Sequence, residues 1–340
     1  MSSHQVLPDI SIIVPVYNAH RHLREALQSI VDQTLDYRLM EVLVVDDGST
    51  DQSRSVAQAF TEVRANIRLL ETGGTQSGAF AARNLGLQQA TGTYVMFLDG
   101  DDQYMPNACR TLFEEAERES ADVVGGTFVH LSEDHECEPN QLRKMRGMEF
   151  HCLDPAVSPE VFVPPQTHWS RMFRRGHLEA HSIKFPSVRR LQDVLFTLRA
   201  TLCAKRVSYL DVPIVRYRRS YDENNPSLTQ QRSTEMIAEV VRARQMIKEL
   251  FDSYDQSGVY REVGFVSDLR DTLRLLSAAR QLSRKDLSRI MALGSPFFSV
   301  AKDIDAATLT TAERTIALLV AENRIPEAAE TLFLLREGVT

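Results

Sequence analysis

Tyr94-Val95-Met96-Phe97-Leu98-Asp99-Gly100-Asp101-Asp102 is the stretch that decides the reading of this chain: five apolar residues stop on three carboxylates within four positions. An unbroken apolar run of that length suits a strand buried on both faces, and the acidic turn marks its carboxyl end. The pattern occurs again upstream, where Val42-Leu43-Val44-Val45 runs into Asp46-Asp47-Gly48-Ser49-Thr50-Asp51. Ile10-Ser11-Ile12-Ile13-Val14, Ile67-Arg68-Leu69-Leu70 and Asp122-Val123-Val124 are further strand candidates. Between them lie helical patterns: Leu23, Leu27, Ile30 and Val31 behind Asn18 as a cap, then Gly78 to Ala90 and Pro106 to Ser120. Strands alternating with helices predict an α/β fold, a mostly parallel sheet flanked by helices. Ligands of such sheets bind beyond the carboxyl ends of the strands, so both acidic clusters would face one pocket.

Outward from this core, the 340 residues suffice for two domains. Thr127 to Thr229 holds eight of the thirteen prolines and predicts irregular loops around short strands, with one helix from about Asp193 to Ala204. Beyond it, Met236, Val240, Val241, Met246, Ile247 and Leu250 recur at helical spacing. We therefore expect a catalytic domain over 1–229, with halves 9–106 and 107–229, and a helical C-terminal domain over 230–340. Exposed apolar faces on those helices would bind a polymeric or lipid-linked acceptor or build a homo-oligomer.

With 39 Lys+Arg against 46 Asp+Glu, the net charge is −7, which disfavours a nucleic-acid partner. No run of about 18 apolar residues and no leader pattern stands out, so a cytoplasmic protein is expected, with peripheral contact at the inner face of a membrane as the alternative. Cys109, Cys137, Cys152 and Cys203 match no metal or redox spacing and are expected to be free thiols. The nine histidines show no zinc motif. No GxGxxG follows the first strand, where the chain reads Pro15-Val16-Tyr17-Asn18-Ala19-His20, and no GxxxxGK[ST] loop occurs.

Asp46 to Asp51 taken alone is a turn leading to a helix cap. Asp99-Gly100-Asp101-Asp102 is either a solvated acidic turn or a cation site, and crowded like charges favour the cation. Mg²⁺ and Mn²⁺ take hard oxygen ligands, typically one or two carboxylates plus substrate phosphates.

Four motifs in order, Ile12-Ile13-Val14-Pro15-Val16-Tyr17-Asn18, Val44 to Asp51, Ala82-Arg83-Asn84-Leu85-Gly86 and Gly92 to Asp102, resemble the family-2 glycosyltransferases, inverting sugar transferases of the GT-A type. A weaker likeness continues through Trp169-Ser170-Arg171-Met172-Phe173, Gln192-Asp193-Val194-Leu195-Phe196 and Tyr217-Arg218, covering roughly Asp9 to Thr229. The resemblance implies a UDP-sugar or other nucleotide-sugar donor and a divalent cofactor, Mn²⁺ or Mg²⁺. It places Pro15, Tyr17 and Asp47 at the base and ribose, Arg83 and Asp99 near the sugar and diphosphate, and Asp101 and Asp102 on the metal. Asp193 matches the catalytic base, although a helix-initiating Asp is the structural alternative. Where the family commonly has Gly-Glu-Asp, this chain has Leu191-Gln192-Asp193, so a donor contact at Gln192 becomes a neutral amide. Arg218 and Ser227 match residues near the diphosphate. Trp169, the single tryptophan, is assigned to the acceptor side, with core filling as its alternative.

Membrane-embedded polymerising members of that family carry spanning helices and QxxRW, neither of which is present here. The expectation is therefore addition of one sugar to a surface glycan, wall polymer or lipid-linked acceptor. A catalytically silent nucleotide-sugar or glycan-binding protein of the same fold is the competing reading.

Overall fold

Seven consecutive buried residues, Ile10–Val16, form β1, and another seven, Met40–Asp46, form β2. Apolar residues on both faces of each strand leave no side for water, which is why these strands pair in parallel under covering helices. The buried polar members of the two strands are mutually satisfied. Glu41 accepts from Ser11 Oγ at 2.6 Å and from Thr91 N at 2.6 Å, and Ser11 Oγ in turn accepts from Gly92 N at 2.8 Å.

The computed structural model describes residues 8–74, 77–132, 135–218, 233–305 and 307–336. Two compact units emerge, Met1–Ser187 with Phe196–Tyr221, and Val188–Leu195 with Asp222–Thr340. The boundary expected at 229/230 lies outside the described residues. Following β1 come α1 (His20–Val31), β2, α2 (Ser53–Val63), β3 (Ile67–Glu71), α3 (Ala79–Gln89), β4 (Tyr94–Phe97), β5 (Gln103–Tyr104) and α4 (Ala108–Glu119). Then follow β6 (Val123–Ser132), β7 (His135–Cys137), α5 (Asn140–Arg143), β8 (Phe150–Leu153), β9 (Arg171–Arg174), α6 (Arg175–Ala180), α7 (Gln192–Leu202) and β10 (Val207–Arg218).

The sheet runs β3-β2-β1-β4-β9-β6-β10-β5, with β7 beside β6 and β8 beside β10. β1 is parallel to both β2 and β4, with Ile13 opposite Leu43 and Phe97, and β2 is parallel to β3. Past β4 the sheet becomes mixed: β9 is antiparallel to β4 and β6, while β10 is parallel to β6. The chain fills β2 and β3 on one side of β1 before crossing to β4 on the other. That reversal is a topological switch point at the carboxyl ends of β1 and β4, the place where ligands of open α/β sheets bind.

Asn18 does not cap α1. Its φ of +49° places it in the left-handed region, and its Oδ1 accepts from Thr50 N at 2.9 Å, joining the loops after β1 and β2. The cap position is Ala19, and the early amides of α1 are satisfied by the loop after β2: Ala19 N donates to Ser53 Oγ at 2.8 Å and His20 N to Asp51 Oδ2 at 3.2 Å.

The second unit is helical beyond α7: α8 (Thr234–Ser253), α9 (Ser257–Val263), α10 (Phe265–Ala278), α11 (Arg284–Leu293), α12 (Ser295–Phe298), α13 (Thr311–Ala321) and α14 (Ile325–Arg336). Met236, Val240, Val241 and Ile247 are buried, as their spacing predicts. Capping boxes start α11 (Ser283 with Asp286) and α13 (Thr310 with Glu313). Among the described residues no helix is long and apolar enough to cross a membrane.

Candidate active site

Both acidic clusters sit at carboxyl ends of strands that flank β1, but they differ in what their carboxylates do. In the first, the charges are used up locally. Asp46 accepts from Ser49 N at 3.2 Å, and Asp51 from Ser53 N at 2.9 Å and His20 Nδ1 at 2.7 Å. Asp47 is 2% exposed, and its two oxygens accept from Thr72 Oγ1 at 2.8 Å and from Gly78 N at 2.7 Å, tying β2 to the start of α3. Tyr17 is exposed just past β1, whereas Pro15 is buried within that strand.

The helix α3 explains why an arginine stands where it does. At Gly86 a Cβ would lie 2.4 Å from Ile13 Cγ2, so glycine lets the helix press directly on β1. Asn84 clamps the backbone of Phe185 from both sides, donating to its carbonyl and accepting from its amide, each at 2.9 Å. Arg83 is thereby held 6% exposed, with its guanidinium over the Phe185 ring and Nη2 donating to Asp99 Oδ1 at 2.5 Å.

The second cluster keeps unspent charge. Burial pushes Asp99 up, but Arg83 outweighs it and holds the carboxyl below the ordinary range. Asp101 is exposed, yet the protein packed on its inner side, followed by the charge of Asp99, pushes its carboxyl up to about 6. Asp102 is 1% exposed, and burial together with Asp101 and Asp99 raises it well above the usual range. Its Oδ1 accepts from Arg218 N at 2.8 Å, while its Oδ2 is buried with no hydrogen-bond partner. A buried oxygen left without a donor, on a carboxyl crowded by two others, fits a cation as its missing partner. The donor set is hard oxygen, suited to Mg²⁺ or Mn²⁺ shared with a phosphate ligand.

Arg218, at the end of β10, closes the other side of this loop. Its Nε donates to the Asp101 carbonyl at 3.0 Å and its Nη2 to Glu25 Oε2 on α1 at 2.5 Å. His168 was not singled out by the sequence. It is 1% exposed, with Nε2 3.9 Å from Asp99 Oδ1, and burial followed by the Arg83 charge lowers it to about 3, so it is neutral. Both ring nitrogens lack partners. No local sequence signal marks it.

Trp169 is 6% exposed. Its ring stacks on Tyr217 at 5.3 Å and meets Phe128 edge-on at 4.8 Å, so it fills core space instead of offering a face to a sugar. Asp193 lies in the first turn of α7, partly exposed, next to buried Gln192, whose Oε1 has no partner. Both belong to the second unit. Ser227 lies outside the described residues.

Among the described residues, one group of three acidic or histidine side chains brings its ligand atoms within 4.8 Å of one another: Glu115, Glu119 and His151. These side chains already have partners: Arg118 pairs with Glu115 and lies 3.3 Å from Glu119, and His151 Nδ1 lies 2.6 Å from Glu115 Oε1.

Residues 11–181 match the model of glycosyl transferase family 2. The chain belongs to that family. It is 31% identical over 295 residues to the uncharacterised glycosyltransferase EpsJ of Bacillus subtilis, covering 84% of this chain and 82% of EpsJ. It is 28% identical to the poly(ribitol-phosphate) β-N-acetylglucosaminyltransferase TarS of Staphylococcus aureus over 208 residues, 59% of this chain and 34% of TarS. A crystal structure of TarS 1–349 in complex with UDP superposes with a TM-score of 0.67 at 20% identity, covering 97% of this chain and 92% of that one. The mannosyltransferase PcManGT of Pyrobaculum calidifontis, in complex with GDP-Man and Mn²⁺, gives 0.54 at 18% identity over 95% of this chain and 86% of that one. This family-2 member is therefore a glycosyltransferase with the GT-A fold expected from its sequence.

Proposed function

We propose that this family-2 glycosyltransferase is metal-dependent and inverting, moving one sugar from a UDP-sugar to a hydroxyl of a wall polymer or surface glycan. The observation that carries the reading is the contrast between the two acidic clusters: Asp46, Asp47 and Asp51 are satisfied by the protein, whereas Asp102 keeps a buried oxygen without a partner. Asp101 and Asp102 hold the divalent ion. When bound, it supplies positive charge where a departing diphosphate accumulates negative charge. Arg83 and Arg218, already anchored on Asp99 and the acidic loop, add fixed positive charge to the same leaving group. Asp47 and Tyr17 bound the nucleoside side.

UDP is favoured over other nucleotides because the TarS segment of similar fold was crystallised with UDP, and the cation because PcManGT was crystallised with Mn²⁺. The name of TarS, a poly(ribitol-phosphate) transferase, supports the wall-polymer acceptor. Asp193 acts as the base that takes the acceptor hydroxyl's proton during attack on the face opposite the nucleotide. Asp193→Asn should reduce transfer by about 10²-fold or more while UDP affinity, measured by calorimetry, stays within about two-fold of wild type. Near-normal turnover in that variant would remove Asp193 from the mechanism. Equal loss of binding and turnover would make it a donor-site residue instead.

A further inference from the structure

Glu25 has no part in the reading above, yet it is the carboxylate that holds the guanidinium of Arg218. The pair joins α1 to the end of β10 across 193 positions of sequence. Arg218 is 13% exposed at its side chain and Glu25 50%. Glu25 Oε2 also accepts from Gln103 Nε2 at 2.9 Å, the residue that follows Asp102. Two other contacts fix Arg218 to the acidic loop, its own amide on Asp102 Oδ1 and its Nε on the Asp101 carbonyl. One terminal nitrogen therefore points away from the loop, to a charge supplied by α1. An arginine fork can satisfy a carboxylate or a phosphate with the same geometry.

We infer that Glu25 is a stand-in counter-ion for the donor's diphosphate, occupying the Arg218 guanidinium until the diphosphate displaces it. The inference rests on the nucleotide-sugar reading of this site. Glu25 acts through Arg218, as the donor's competitor for its guanidinium, without touching the reacting atoms. A half-exposed carboxylate holds an arginine weakly enough to be exchanged, and a diphosphate offers more negative charge. The consequence is competition: the wild-type protein must give up the Glu25 pair before Arg218 engages the donor, and uridine, which carries no phosphate, never asks for the exchange.

The test is calorimetric titration of UDP and of uridine, each with Mn²⁺, into wild type, Glu25→Gln, Arg218→Gln and the double variant, with thermal unfolding to confirm that each folds. Glu25→Gln is expected to bind UDP about two- to five-fold more tightly than wild type, with uridine unchanged. In the Arg218→Gln background, adding Glu25→Gln should produce less than half of that gain, because the guanidinium through which it acts is gone. Unchanged or weaker UDP binding by Glu25→Gln overturns the inference, the latter result making Glu25 a residue that pre-aims Arg218. A gain that persists in full without Arg218 also overturns it, reducing Glu25 to a long-range charge. If wild type bound no nucleoside diphosphate, the donor reading itself would fall and this inference with it. Wild-type binding with an unresponsive Glu25→Gln refutes this inference alone.

Discussion

Replacing Asp102 by asparagine perturbs a buried carboxyl crowded by two others, with opposite effects in the absence and presence of metal. Asp102 is 1% exposed, its Oδ2 has no partner, and its carboxyl is raised by burial, then by Asp101 and Asp99. The amide oxygen can still accept from Arg218 N, as Oδ1 does now, so the substitution removes the repelled charge and keeps the one hydrogen bond. The new amide nitrogen stands where Oδ2 does and is itself a buried group without a partner, so the gain comes from the lost charge alone. Asp102→Asn should therefore stabilise the metal-free protein at neutral pH by about 1 kcal/mol, about 2–4 °C in Tm for a unit of this size. With Mn²⁺ at about 100-fold its dissociation constant, wild type gains about 2.7 kcal/mol and the variant far less, so the order reverses. The pH dependence has a definite sign. A carboxyl raised on folding penalises the native state above its unfolded value, and the penalty shrinks as pH falls, so the metal-free gap between variant and wild type should close toward about pH 4. Thermal unfolding with and without Mn²⁺, from neutral pH downward, reads all of this. A variant less stable than metal-free wild type, or one with an undiminished Mn²⁺ shift, would refute the reasoning.

Two further perturbations test the scaffold behind the loop. Arg83→Ala leaves Asp99 without its 2.5 Å partner and should lower stability by about 2–4 kcal/mol in urea unfolding. Because Arg83 holds Asp99 below the ordinary carboxyl range, the pair's contribution is present above the unfolded value and lost as pH falls through the folded one. The variant should therefore lack that part of the acid-side loss, and an unchanged acid limb would contradict the assignment. Gly86→Ala brings a methyl to 2.4 Å from Ile13 Cγ2 and should cost about 1–3 kcal/mol through overpacking, read as a lowered Tm. Wild-type stability there would mean that α3 does not bear on β1 as described.

Much of this was legible in the sequence, for physical reasons. Strands buried on both faces must be apolar throughout, so β1, β2 and β4 announce themselves as runs, and a carboxylate at the end of such a run has to be at the sheet's edge. The motif Ala82 to Gly86 was visible as a pattern, but its cause, helix contact at Gly86 and a clamp at Asn84, appears only in three dimensions. Short antiparallel strands such as β7 and β9 lack the length for periodicity to show among prolines. Asn18 looked like a cap because Asn favours both N-caps and left-handed turns, and the turn prevailed. A lone tryptophan carries no sign of which face it offers; here Tyr217 takes that face. His168 and Glu25 were silent because their partners are remote in sequence.

The most direct test of the central claim is calorimetric titration of UDP, GDP, TDP and CDP into the protein with and without Mn²⁺, alongside the Asp101→Ala/Asp102→Ala double variant. The account predicts that UDP binds, that Mn²⁺ strengthens it, and that the double variant loses the Mn²⁺ enhancement. UDP binding that ignores both Mn²⁺ and the two aspartates, or no nucleotide binding at all, would contradict it.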